Sequence, residues 1–284
     1  MKVYAKTRKT HYWNEDRFII GKDYFMVIDG ATPLIKVNNF NEACWMVNYI
    51  KKNINKLKGN IKERLLVLSK DGFNKLPVKM KDEEYLPSAG MAWVEYDEKY
   101  FYANVLGDCE VTFITKDGQI VRCHTTRLNE LDGISISELV RNAKEKNIHV
   151  SEARPYISDT LLKHRKMINK ENGYNAFALS DNPVINEVTL KIEKENVKQI
   201  YLYTDGFAQS YDHIFVYKNH EEMFKNDLDL EEEIKKIVIK SFSDPYCDKY
   251  PRLKKIDDIT AIKIEMYRRG FAGILYQRFG CRGS

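Results

Sequence analysis

Phe25-Met26-Val27-Ile28-Asp29-Gly30 is an apolar run that ends in a carboxylate and then a glycine. Aromatic and β-branched residues in such a run form a strand. The strand fixes the position of Asp29, and the glycine lets a ligand approach the backbone closely. Ile200-Tyr201-Leu202-Tyr203-Thr204, followed by Asp205-Gly206, repeats the pattern far along the chain. Upstream of the first run, Gly21-Lys22-Asp23 interrupts the aromatic and β-branched residues of 17–28. That predicts a hairpin whose second strand, 24–28, delivers Asp29 at its end.

Working outward, Ala43, Val47, Ile50, Ile54 and Leu57 recur at spacings of four and three, the apolar face of a helix. A second helix is expected over 61–69, with Gly72 closing the region. The period then becomes strand-like in four short segments, 91–96, 100–106, 110–115 and 119–124. The Asp117-Gly118 turn joins the last two, and an antiparallel meander is the reading. Residues 134–170 are helical and polar, with Ile136, Leu139, Val140 and Ala143 among charged neighbours. Strands return at 175–179, 187–193 and 199–204, a helix fits 230–242, and a strand at 259–266 closes the pattern. Antiparallel strands with grouped helices predict a single α+β domain over 1–266, followed by a tail at 267–284.

Hydrophobic residues at 43% and charged residues at 31% are ordinary for a globular chain and argue against a disordered or fibrous one. The net charge of +5, from 46 basic and 41 acidic residues, leans only weakly toward an anionic partner such as a phosphate ester. Without a basic block or an aromatic-interleaved basic stripe, nucleic acid is not an expected partner. No apolar run approaches the roughly 18 residues of a membrane span, and the N-terminal stretch lacks the apolar core of a secretory signal. Cys44, Cys109, Cys123, Cys247 and Cys281 are odd in number and scattered, so they read as free thiols of a reducing cytoplasm, not zinc ligands or a disulfide framework.

Four acidic motifs carry the chemistry: Asn14-Glu15-Asp16, Asp29-Gly30, Asp205-Gly206 and Asp257-Asp258-Ile259-Thr260. One Asp-Gly after a strand is usually only a turn. Three acidic sites of this kind in one chain are harder to dismiss. Together with Pro87-Ser88-Ala89-Gly90 and Ala103-Asn104-Val105-Leu106-Gly107-Asp108, they stand in an order that resembles the metal-dependent protein phosphatases, the protein phosphatase 2C family, in a bacterial-like form. The motifs run from near the N-terminus to residue 260, almost the whole chain.

The resemblance implies a β-sandwich of two antiparallel sheets flanked by helices, in four layers, with a metal centre at one end. It implies that Asp29 bridges two cations, that the Gly30 carbonyl binds one of them, and that Asp205 and Asp257 complete the other's shell. Asp257 fits the ligand position better than Asp258. Asp108, with Asp205, matches a weaker third-metal site, and Glu15 and Asp16 act through bound water. Hard oxygen donors suit Mg²⁺ or Mn²⁺. The implied activity is hydrolysis of phosphomonoesters on Ser/Thr phosphoproteins by direct attack of a metal-bridging hydroxide. The expected partner is a phosphorylated protein met by a cytoplasmic monomer active in signalling, with no membrane and no nucleic acid.

Two positions depart from the family pattern. His11 stands where many members carry a phosphate-gripping arginine, and is the candidate phosphate contact; Arg8, Lys9 and Arg17 are near but out of register. Ala31-Thr32-Pro33 stands where some members carry a histidine. The charged segment at about 125–175 is expected to form a flap beside the site, or else a solvated helical insertion. Two other functions stay open: an inactive phosphatase scaffold that binds a partner, and a phosphatase of small phosphate esters.

Overall fold

The computed structural model describes residues 1–35, 40–82 and 85–266, so the tail expected at 267–284 lies outside the described residues. In chain order the elements are β1 (Lys2–Arg8), β2 (Asp16–Ile20), β3 (Tyr24–Gly30), α1 (Glu42–Asn53), α2 (Ile61–Lys75), β4 (Ser88–Tyr96), β5 (Tyr100–Leu106), β6 (Glu110–Thr115) and β7 (Ile120–Cys123). They continue with α3 (Arg127–Lys146), α4 (Ser158–Arg165), β8 (Phe177–Ala178), β9 (Val188–Glu193), β10 (Val197–Tyr203), α5 (Asp205–Asp212), α6 (His220–Phe224), α7 (Leu230–Phe242) and β11 (Ile259–Glu265).

The strands form two antiparallel sheets, ordered β1-β11-β10-β6-β7 and β2-β3-β4-β5-β9, with β8 pairing β4. Alternation along each strand divides the core into layers. On β3, Phe25 and Val27 meet Ile200 and Leu202 of β10 between the sheets. Tyr24, Met26 and Ile28 face outward onto Met46, Val47 and Ile50 of α1 and Leu65 of α2. On the opposite outer face, Tyr201 and Tyr203 pack against Phe207 of α5, Phe224 of α6 and Ile234 of α7. Helices thus cover both outer faces, giving the expected four layers.

Local chemistry sets the helix starts. Asn41 caps α1 by accepting from the Cys44 amide, and Asn60 and Glu63 form a reciprocal capping box on α2. Gly72 does not end α2, which continues to Lys75; a Cβ there would lie 2.8 Å from Leu179 Cδ2, so this glycine serves close packing. The segments between 91 and 123 are not one meander. β4 and β5 belong to one sheet and β6 and β7 to the other, and the chain crosses at Gly107-Asp108-Cys109 with Gly107 at φ +69°. β1, α5 and α6 were not foreseen from the sequence. The 125–175 segment has a small core of its own, with Leu139, Ala143, Val150 and Ile157 packed on Cys247. Among the described residues, no helix is long and apolar enough to cross a membrane.

Candidate metal centre

The period of two that buries Phe25 and Val27 between the sheets carries Asp29 to the same face at the end of β3. Asp16 is its direct cross-strand partner on β2. Like charges paired across strands are destabilising, so this register alone favours a cation or a proton. On the other side Asp29 pairs with Gly90 of β4, and a Cβ at Gly90 would fall 2.4 Å from Asp108 Oδ1. The missing side chain is therefore the space that Asp108 occupies. Donor atoms of Asp29, Asp108 and Cys109 all lie within 4.8 Å of one another. Burial, and then the neighbouring Asp29 and Asp108, push the Cys109 thiol well up, so it stays protonated.

The second sheet brings the rest. Asp205 opens α5 directly after β10, where the N-terminal end of a helix favours a carboxylate. Gly206 is pressed against the next strand's approach, since a Cβ there would lie 1.9 Å from the Asp258 carbonyl oxygen. Asp29 lies close enough to Asp205 to offset part of the upward push on its carboxyl. Asp205 Oδ1 is buried and has no partner among the described residues. Asp257 accepts from the Asp258 amide at 2.9 Å through Oδ1 and pairs with Lys254 Nζ at 2.6 Å through Oδ2.

Asp29, Asp108, Asp205, Asp257 and Lys254 line a cavity of about 180 Å³ together with Asp132, Arg154 and Arg165. Burial, then the charges of Asp205, Asp16 and Asp108, raise Asp29 well above the ordinary carboxylate range. Burial, Asp257 and Asp205 do the same to Asp16, and burial, Asp205 and Asp132 to Asp108. Burial and Asp257 lift Asp205 to about 6; burial and Asp205 lift Asp132 to about 7. Such a set of buried, mutually repelling oxygen donors, one of them unpartnered, fits hard divalent cations of the Mg²⁺ or Mn²⁺ type.

Of the residues singled out in the sequence, Asp29, Asp108, Asp205 and Asp257 line this one cavity. Asp16 stands behind it, accepting from Thr204 Oγ1 at 2.9 Å. Gly30 ends the β3–β4 ladder opposite Ala89. Glu15 faces a neighbouring cavity, its carboxylate held by Thr32 and Asn41. His11 lines that second cavity and not the acidic one, with Nε2 2.8 Å from the Ile256 carbonyl oxygen. Asp258 turns away and accepts from the amides of Thr10 and Glu15, each at 2.7 Å.

Asp132, Arg154, Arg165 and Lys254 were missed. The first three come from the 125–175 segment, whose charges carry no mark of which ones face the cavity. Lys254 stands three residues before Asp257, a spacing without a recognisable motif. Arg154 donates to the Leu253 carbonyl at 2.6 Å, and Arg165 to the Thr32 carbonyl at 3.2 Å.

Two stacked antiparallel sheets, helices on both outer faces and acidic residues gathered at one end make this the fold of the protein phosphatase 2C class. Among solved structures, the chain is similar to the serine/threonine phosphatase Stp1 from Staphylococcus aureus, at 10% identity and TM-score 0.51, with 94% of each chain covered. It is similar to the catalytic domain of the serine/threonine phosphatase PstP in complex with two manganese ions, at 12% identity and TM-score 0.51, over 93% of this chain and 97% of that one. It is also similar to PppA, a regulatory component of T6SS in Pseudomonas aeruginosa, at 10% identity and TM-score 0.55, over 94% and 97%. No protein-family model and no curated protein sequence matches the chain.

Proposed function

We propose that the protein is a metal-dependent phosphatase of serine/threonine phosphoproteins. The observation that carries this reading is the meeting of Asp29, Asp108, Asp205 and Asp257, drawn from both sheets, in one cavity where their charges call for cations. Asp29, Asp205 and Asp257 would hold Mn²⁺ or Mg²⁺, with Asp108 and the Gly30 carbonyl adding oxygen donors. Such ions, when bound, lower the pKa of water and neutralise a phosphoryl group. The chain's own residues bind and orient. Arg154 and Arg165 stand on the wall of the acidic cavity, and their planar guanidinium groups suit the oxygens of a phosphate ester. They supply there the positive charge that the sequence had suggested for His11. Asp16 and Glu15 are held by hydrogen bonds at the back and side of the site, so their positions are set before substrate arrives. The phosphatase names of the structural neighbours, and the two manganese ions of one, support the same reading.

The test is hydrolysis of a phosphothreonine peptide and of p-nitrophenyl phosphate with Mn²⁺, with Mg²⁺ and with chelator. Turnover is expected with metal and not with chelator, with the peptide preferred. Asp29→Asn is expected to lose more than about a hundredfold, beyond the usual effect of losing an outer partner of a metal ligand, while still unfolding cooperatively. Undiminished turnover in that variant sinks the assignment. Preference for the small ester reassigns the substrate, and a folded protein inert with every metal is a binding scaffold.

A further inference from the structure

Lys254 is the one lysine among the residues lining the acidic cavity, and its surroundings are built to keep it there. The backbone on either side is clamped by side chains at three carbonyls. Arg154 Nη1 donates to Leu253 O at 2.6 Å, Arg252 Nε donates to Lys255 O at 3.0 Å, and His11 Nε2 lies 2.8 Å from Ile256 O. Arg252 is itself buried and fixed by the Asp244 carboxylate at 2.9 Å and the Tyr250 carbonyl at 2.7 Å. The lysine stem therefore starts from a rigid loop, and its ammonium ends 2.6 Å from Asp257 Oδ2. The Asp205 and Asp29 carboxylates line the same cavity.

Both oxygens of Asp257 are thereby engaged, Oδ1 by the Asp258 amide and Oδ2 by Lys254. An ammonium is a compact point charge with three donors, able to face three carboxylates in the manner of a small cation. A divalent ion in the same place would have to displace it. Resting on the metal-binding half of the function proposed above, we infer that Lys254 is a tethered cation that fills one of the cation positions of the centre, beside Asp257, so that the chain takes up one divalent ion fewer than its carboxylates would otherwise hold.

The experiment is the Mn²⁺ stoichiometry of the full chain, by equilibrium dialysis with elemental analysis, for the parent, Lys254→Met and Lys254→Arg. Lys254→Met keeps the apolar stem and removes the charge; it is expected to bind one more Mn²⁺ per chain than the parent, while Lys254→Arg matches the parent. Lys254→Gln, equally uncharged, repeats the measurement should the methionine variant not fold. Thermal unfolding in chelator adds a readout independent of turnover: Lys254→Met is expected to melt lower than the parent, and Mn²⁺ is expected to remove the difference. Equal stoichiometry in the parent and the uncharged variants overturns the inference and leaves the metal centre standing. No Mn²⁺ bound by any of the proteins overturns both.

Discussion

Asp257 and Asp258 are adjacent and opposite in role. Asp257 faces the cavity, whereas Asp258 ties the N-terminal segment to the last strand through the amides of Thr10 and Glu15 and the Thr10 hydroxyl. Asp258→Ala leaves two amides without their charged acceptor, and a loss of about 2–3 kcal/mol is expected in urea unfolding. Little or no loss there would show that the N-terminal segment is held by other means. The resemblance had already ranked Asp257 above Asp258 as a ligand. What the sequence could not convey is the second job, because nothing in two consecutive aspartates says which one turns back toward residues 10–15. Gly90 is similar: its place in a motif was legible, but its physical purpose, room for Asp108, needed the register of β3 on β4.

At the scale of elements, the loop between α7 and β11 is organised around one buried guanidinium. Arg252 binds the Asp244 carboxylate and four carbonyl oxygens, and Asp244 also accepts from the amides of Asp248, Lys249 and Tyr250. Removing one partner of a buried pair leaves the other charge uncompensated. Asp244→Ala is therefore expected to cost about 3–5 kcal/mol in urea unfolding. A stability change below about 1 kcal/mol would overturn that account. Elements with a clear period were legible: the β2–β3 hairpin, and α7, whose bounds match the expected 230–242. Those without one were not. β1 reads Lys-Val-Tyr-Ala-Lys-Thr-Arg, an edge strand mostly exposed, and α5 is only eight residues long, so neither offers a long period to read. The crossing at residues 107–109 was missed because turn residues specify a reversal and not which sheet the next strand joins.

Over the whole molecule, the acidic centre sets a pH dependence whose sign can be worked out. Asp205, near 6, and Asp132, near 7, stand above the roughly 3.9 of an unfolded chain. Between those values the folded protein holds more protons than the unfolded one, so their contribution is full below about 4 and is lost as pH rises through 6 and 7. Asp244 acts in the other direction: against its burial, the Tyr250 amide and Arg252 hold it low, and its contribution is lost only as pH falls through that low value. The melting temperature of the metal-free protein is therefore expected to fall between pH 5 and 8, and saturating Mn²⁺ to flatten the slope. A metal-free profile that rises over this range would contradict the proposed environment of the carboxylates. The same architecture has a mechanical side. Asp16 and Asp29 ride on one sheet, Asp205 follows β10 and Asp257 precedes β11 of the other, and Asp108 lies where the chain passes between the two. Any slip of one sheet over the other must change the gaps among these five residues, so the centre works as a gauge of the sandwich. An ion seated there is a rivet through its two halves.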